Sequence, residues 1–222
     1  MKELELSALR ICWGTPIVEV ENPEHNSVKP GLVTHCYDRC ERDGMAVASG
    51  VAPLAKRGLY ESRFDFFQET EPAVRSLKAF CSDALLAALT QLEQQLEGDV
   101  LASQKARVDI HESWVHITKD GGFHEPHLHA NCSWCGIYYV DAGDSSIDPP
   151  NGVNQFFPPF ANTYEDLGTK IWPLGTVTIC PGEGRLVLFP SYVRHSAGVY
   201  RGKKDRIVIA FNAKVRSGVP AS

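Results

Sequence analysis

Nowhere in the 222 residues is there an apolar run near the roughly 20 needed to span a bilayer. No membrane partner is expected. The opening stretch, MKELELSALRICWGTPIVEV, alternates charged and apolar positions and never builds the apolar core of a secretory signal. A cytoplasmic location is expected. A basic stripe is missing too: 22 Lys and Arg face 27 Asp and Glu, for a net charge of -5, and the signs are interspersed. With no row of cations to neutralise phosphates, nucleic acid is not an expected partner. Cysteine pairing signals are scarce. The seven cysteines are odd in number, and the C-x-x-C at Cys132 and Cys135 has no second copy to complete a four-thiolate zinc site. Reduced, packed thiols are expected, with Cys132 and Cys135 on opposite faces of a continuous strand. There is no internal repeat and no low-complexity tail.

What is present is ample for a core, since 43% of the residues are hydrophobic. Residues 1–222 read as a single domain. Residues 1–104 supply helical support and peripheral strands, and 105–215 a jelly-roll core. Residues 8 to 20 suggest a short strand around the Thr15-Pro16 break. Leu32, Val33, Cys36, Tyr37 and Cys40 follow helical spacing, with Gly44 to close it. From Thr70 the pattern strengthens. A capping residue and Pro72 lead into Val74, Leu77, Cys81, Leu85, Ala88, Leu89, Leu92 and Leu96 on one face, and Gly98 is the stop.

Beyond about residue 105 come short β-type runs, RVDIHESWVHI, SWCGIYYV, GTVTIC, GRLVLFP and DRIVIAFNAKV, separated by KDGG, DAGD, DPPNG, PGEG and RGKKD. Strands joined by turns and not by helices predict an antiparallel sandwich or jelly roll.

The chemistry concentrates in that half. On a strand His127 and His129 project to one face, so both imidazoles can converge on one ion while Leu128 packs into the sheet. A third ligand is offered by His195, just past a strongly apolar strand. Arg206 follows across a hairpin whose turn is RGKKD. Its planar, permanently charged fork suits a carboxylate, and burying it is costly without an anionic partner.

Four stretches together, TPI (15–17), HLH with GIYYV (127–140), PGEGRLVLFPSYVRH (181–195) and RIVIAFN (206–212), resemble the 2-oxoglutarate and iron(II)-dependent oxygenase family. The resemblance is strongest from about 111 to 214. It implies a double-stranded β-helix that uses iron(II), 2-oxoglutarate and O₂. His127, His129 and His195 would be the metal ligands, with Arg206 on the distal carboxylate of 2-oxoglutarate. The implied activity is oxidation, as in hydroxylation, of a small-molecule or amino-acid-like substrate.

Two positions depart from the wider family. His129 stands where Asp or Glu usually completes a two-histidine, one-carboxylate triad, so the ligand set becomes three imidazoles. Glu125 competes as a carboxylate donor, but Pro126 interrupts the strand there. Val208 replaces a Ser that helps hold the distal carboxylate, so Tyr138 or Tyr139 is expected to supply a hydroxyl. Strand alternation allows only one of these tyrosines to point inward. His124 either lines the pocket mouth or faces solvent. The stretch 143 to 173, rich in Pro, Asn and aromatics, reads as a lid or substrate wall. It lacks the D-P-R of the relatives, so substrate contacts do not carry across. Two alternatives stay open: a three-histidine, cupin-like dioxygenase without 2-oxoglutarate, and a non-catalytic jelly-roll binding module. Oligomeric state is open as well, a homodimer included.

Overall fold

The computed structural model describes residues 14–43, 56–160, 166–167 and 175–219. The elements in chain order are β1 (Val18–Glu21), α1 (His25–Arg42), β2 (Lys56–Glu61), a 3-10 turn (Phe66–Gln68), α2 (Pro72–Gln95) and α3 (Val100–Ser103). They continue with β3 (Arg107–His127), β4 (Trp134–Asp141), β5 (Asn154–Phe156), β6 (Val177–Ile179), β7 (Arg185–Pro190), β8 (His195–Ala197) and β9 (Arg206–Arg216). The nine strands form one antiparallel sheet in the order β1-β7-β4-β9-β3-β8-β5-β6, with β2 also on β3. This is the expected mainly β, double-stranded β-helix with helices packed on it. Among the described residues no helix is long and apolar enough to cross a membrane.

Period-2 alternation divides the side chains of the central strands between two cores. Tyr138 and Val140 of β4, Leu186 and Leu188 of β7, Val115 and Ile117 of β3, and Ile207, Ile209 and Phe211 of β9 face one way. They pack with Leu32 and Cys36 of α1 and Val74, Leu77, Cys81 and Leu85 of α2. Their alternates Cys135, Ile137, Tyr139, Val187, Phe189 and Val208 turn inward, where Phe156 of β5 and Ile179 of β6 meet them. The first core anchors the helices; the second lies inside the roll, beside the polar residues described below.

Several expectations shift by a turn or a strand. The first strand is confined to Val18–Glu21, and residues 8–13 and Gly44 lie outside the described residues. The cap of α2 is Glu71, whose Oε2 accepts from the Val74 amide at 2.9 Å, and not Thr70. KDGG does not break β3, which runs through it with a register shift against β2 between Arg57 and Leu59. The reason is close approach. A Cβ on Gly122 would lie 2.6 Å from the Gly58 carbonyl oxygen and 2.5 Å from Thr118 Cγ2, so only glycine lets the two chains touch and the strand bend. The hairpin expected across RGKKD is also absent, because β8 and β9 both pair with β3 and not with each other. β3 is long enough to serve both: its first part carries β9 and its last four residues carry β8.

Candidate functional site

His127 closes β3 and stands directly opposite His195, which opens β8, with ring centroids 4.3 Å apart. His129 lies two residues past the strand end, its ring 5.1 Å from each of the other two. One ligand atom from each of the three histidines lies within 4.8 Å of the others. The structure thus brings together the three residues expected to hold a metal. Glu125, the carboxylate competitor, is exposed, and its carbonyl accepts from His127 Nδ1 at 2.8 Å.

The donor set suits a divalent transition metal in protonation as well as position. His127 Nδ1 is bonded to that carbonyl, and His195 Nδ1 reaches the Val193 carbonyl at 3.1 Å. Carbonyls only accept, so each Nδ1 carries the proton and each Nε2 offers a lone pair. Burial pushes His127 down to about 4, against a raising bond from Glu125, and pushes His195 down to about 3. Burial lowers His129 as well. All three imidazoles are therefore neutral at pH 7, the form that binds metal.

Arg206, the first residue of β9, is 2% exposed. Its Nη2 donates to Asn154 Oδ1 at 2.7 Å, and the guanidinium lies 5.7 Å from the Tyr139 ring. The Tyr139 hydroxyl donates to the same Oδ1 at 2.9 Å, while Asn154 Nδ2 donates to the Ser196 carbonyl at 3.2 Å and so fixes the amide. No carboxylate among the described residues pairs with Arg206, its Nε is buried without a partner, and burial works against its charge. A buried cation in that state is costly unless an anion arrives from outside the chain.

Arg206 and the three histidines line one cavity of about 40 Å³, walled on its apolar side by Phe189 and Val208. A second, wider chamber of about 380 Å³ opens on the other side of His127 and His129, between Lys56, Glu61, Phe64 and Glu112. His124 and Trp114 belong to both. His124 is part of β3 and stacks on His127 at 3.8 Å, so it faces the site and not solvent. Burial and the neighbouring His127 hold it neutral, far below the usual histidine range.

Two expectations need correction. Tyr138 does not assist Arg206: alternation along β4 points it at the helices, where its hydroxyl meets His25 Nδ1 at 2.8 Å and Asn22 Nδ2 at 3.1 Å. Its neighbour Tyr139 takes the inward place. Cys132 and Cys135 do not part either. Cys132 precedes β4, so strand alternation does not apply to it, and its Sγ lies 3.8 Å from that of Cys135. The six described cysteines are free thiols. Asn154 was missed altogether. Its only signal in the sequence is as one of the polar residues of the 143 to 173 stretch, of which 161–165 and 168–173 lie outside the described residues.

With the geometry in place, comparison with known proteins adds sequence and fold evidence. Residues 112–212 match the family described as "Putative 2OG-Fe(II) oxygenase". No curated protein matches the sequence. Among solved structures the chain is similar to a prolyl-4-hydroxylase from Pseudomonas putida, at 16% identity over 89% of this chain and 92% of that one, TM-score 0.53. A prolyl hydroxylase from Trichoplax adhaerens, in complex with a hypoxia inducible factor oxygen degradation domain peptide fragment, aligns at 12% identity over 88% and 83%, TM-score 0.56. The non-heme alpha ketoglutarate dependent epimerase SnoN from nogalamycin biosynthesis aligns at 13% identity over 90% and 76%, TM-score 0.59. At such identities the likeness is one of fold.

Proposed function

We propose, from the match of residues 112–212 to the 2OG-Fe(II) oxygenase family, that the protein is an iron(II) and 2-oxoglutarate-dependent dioxygenase that oxidises, by hydroxylation, a small-molecule or amino-acid-like substrate. The observation that carries this reading is Arg206, a buried cation without a carboxylate, in the same cavity as three neutral histidines.

His127, His129 and His195 would hold the iron, which with O₂ and 2-oxoglutarate supplies the oxidising power while 2-oxoglutarate is converted to succinate and CO₂. The rest of the work falls to the chain. The carbonyls of Glu125 and Val193 hold two imidazoles with Nε2 toward the cavity. Arg206 would receive the distal carboxylate of 2-oxoglutarate, with Nε as a donor that has no partner among the described residues. Asn154, held by Tyr139 and Ser196, keeps the guanidinium aimed. Phe189 and Val208 exclude water from one side and strengthen that charge pair.

A three-histidine site that dispenses with 2-oxoglutarate leaves Arg206 without a purpose, and a binding module leaves the fixed tautomers without one. The test is turnover. Protein given iron(II), 2-oxoglutarate, ascorbate and O₂ should release succinate slowly on its own and faster with substrate. No succinate under reducing conditions, with or without candidate substrates, would overturn the reading.

A further inference from the structure

The wider chamber carries two features that the metal and 2-oxoglutarate leave unused. The first is Trp114, which is 5% exposed and walls both chambers, yet its indole Nε1–H has no partner among the described residues. A buried N–H left empty is a standing cost that a ligand acceptor removes. The ring cannot turn away easily: it lies 5.5 Å from His129 in a stacked arrangement and meets Phe64 edge-on at 4.9 Å.

The second is the charge balance of the wall. Glu61 is neutralised locally, since Lys56 and His116 both bond its Oε2. Glu112 has no such cation among the described residues. Its Oε2 accepts from the Asn212 amide at 2.7 Å, its cross-strand partner in register, and the imidazole of His111 is 3.9 Å away. Asn212 in turn accepts from Cys135 Sγ at 3.5 Å, which holds the amide in place. The wall therefore carries a positioned carboxylate with no Lys or Arg paired to it among the described residues, a buried indole N–H without a partner, and the half-exposed Phe64 ring.

We propose that this chamber binds an amine-bearing substrate, with its ammonium group on Glu112 and an oxygen acceptor, a carboxylate or amide carbonyl, on the indole N–H of Trp114. The ammonium group also gains from the Phe64 ring face. A free amino acid or a compound ending in one satisfies both contacts; a dicarboxylate or a sugar phosphate meets Glu112 with the wrong charge. The inference rests on the oxygenase reading for what the chamber faces, but the recognition can be measured without turnover.

The experiment is calorimetric titration of the metal-free protein with a panel of the common amino acids and their N-acetyl derivatives, on wild type, Glu112→Gln and Trp114→Phe. At least one free amino acid should bind about tenfold more tightly than its N-acetyl form in the wild type. E112Q should erase that preference, and W114F should weaken binding about tenfold while keeping it. Absence of binding by every member, equal affinity for both forms in the wild type, or a preference that survives in E112Q would overturn the proposal. E112Q alters a half-exposed side chain and keeps its size, so that arm stands even if W114F fails to fold. Failure of the oxygenase reading has its own signature, no 2-oxoglutarate binding and no succinate, and leaves the amine preference intact.

Discussion

Among the described residues Arg206 bonds the amide oxygen of Asn154 and lies against Tyr139, and its buried Nε has no partner. Supplying a permanent carboxylate beside it should therefore compete with the co-substrate. Asn154→Asp is expected to weaken 2-oxoglutarate binding at least about tenfold, read by calorimetry, whereas Tyr138→Phe should leave it unchanged because Tyr138 bonds to His25 and Asn22 on the other side of the sheet. Glu61 yields a prediction in pH. Burial would raise its carboxyl, but bonds from His116 and Lys56 hold it down at about 2. The unfolded carboxyl titrates near 4.5, so between those values the unfolded chain binds more protons and stability rises with pH. The contribution is complete above about pH 4.5 and lost as pH falls toward 2. Urea midpoints should thus fall more steeply across that window in the wild type than in Glu61→Gln; parallel slopes would refute the assignment. At this scale the sequence was legible in which residues meet, since His127, His129, His195 and Arg206 line one cavity, although His129 does so from beyond the strand end and no hairpin links His195 to Arg206. It was illegible where the phase of alternation decides, as with Tyr138 against Tyr139, because period 2 says that one faces inward but not which.

The long β3 is the element on which the site depends. It pairs with β9 near Trp114 and His116, bends where Gly58 meets Gly122, and delivers His124 and His127 to β8. Gly122→Ala places a Cβ against backbone that has nowhere to move. It should cost on the order of 1–3 kcal/mol and also reduce metal stoichiometry, measured by denaturation and elemental analysis. Leu85→Ala is the contrast. It empties a wholly buried place between α2 and the sheet, far from the cavity, and should cost about 2–5 kcal/mol while metal and 2-oxoglutarate binding stay intact in the folded protein. KDGG reads as a breaker in sequence because Gly-Gly after Lys-Asp usually is one. Here Gly122 permits a close contact with Gly58 of β2, far away in the sequence, which no local pattern encodes. The long α2 and the strands β4, β7 and β9 were readable because each buries a full face. The short β5 and β8 bury two residues each and leave no periodic trace.

Across the whole molecule, the roll keeps one face for the helices and encloses the polar site between its inner strands. A metal that binds the folded chain alone stabilises it by mass action, about 2.7 kcal/mol at a hundred times its dissociation constant. Thermal midpoints should therefore rise with iron(II) or a redox-inert surrogate and fall with chelator, and His127→Ala and His195→Ala should abolish the shift. The central claim, that the three histidines and Arg206 form one site for iron and 2-oxoglutarate, is tested most directly by anaerobic calorimetry of 2-oxoglutarate binding to the iron(II)-loaded protein and its Arg206→Ala variant. Loss of a buried charge pair predicts affinity weaker by about a hundredfold or more. Equal affinity in the two proteins would contradict the account.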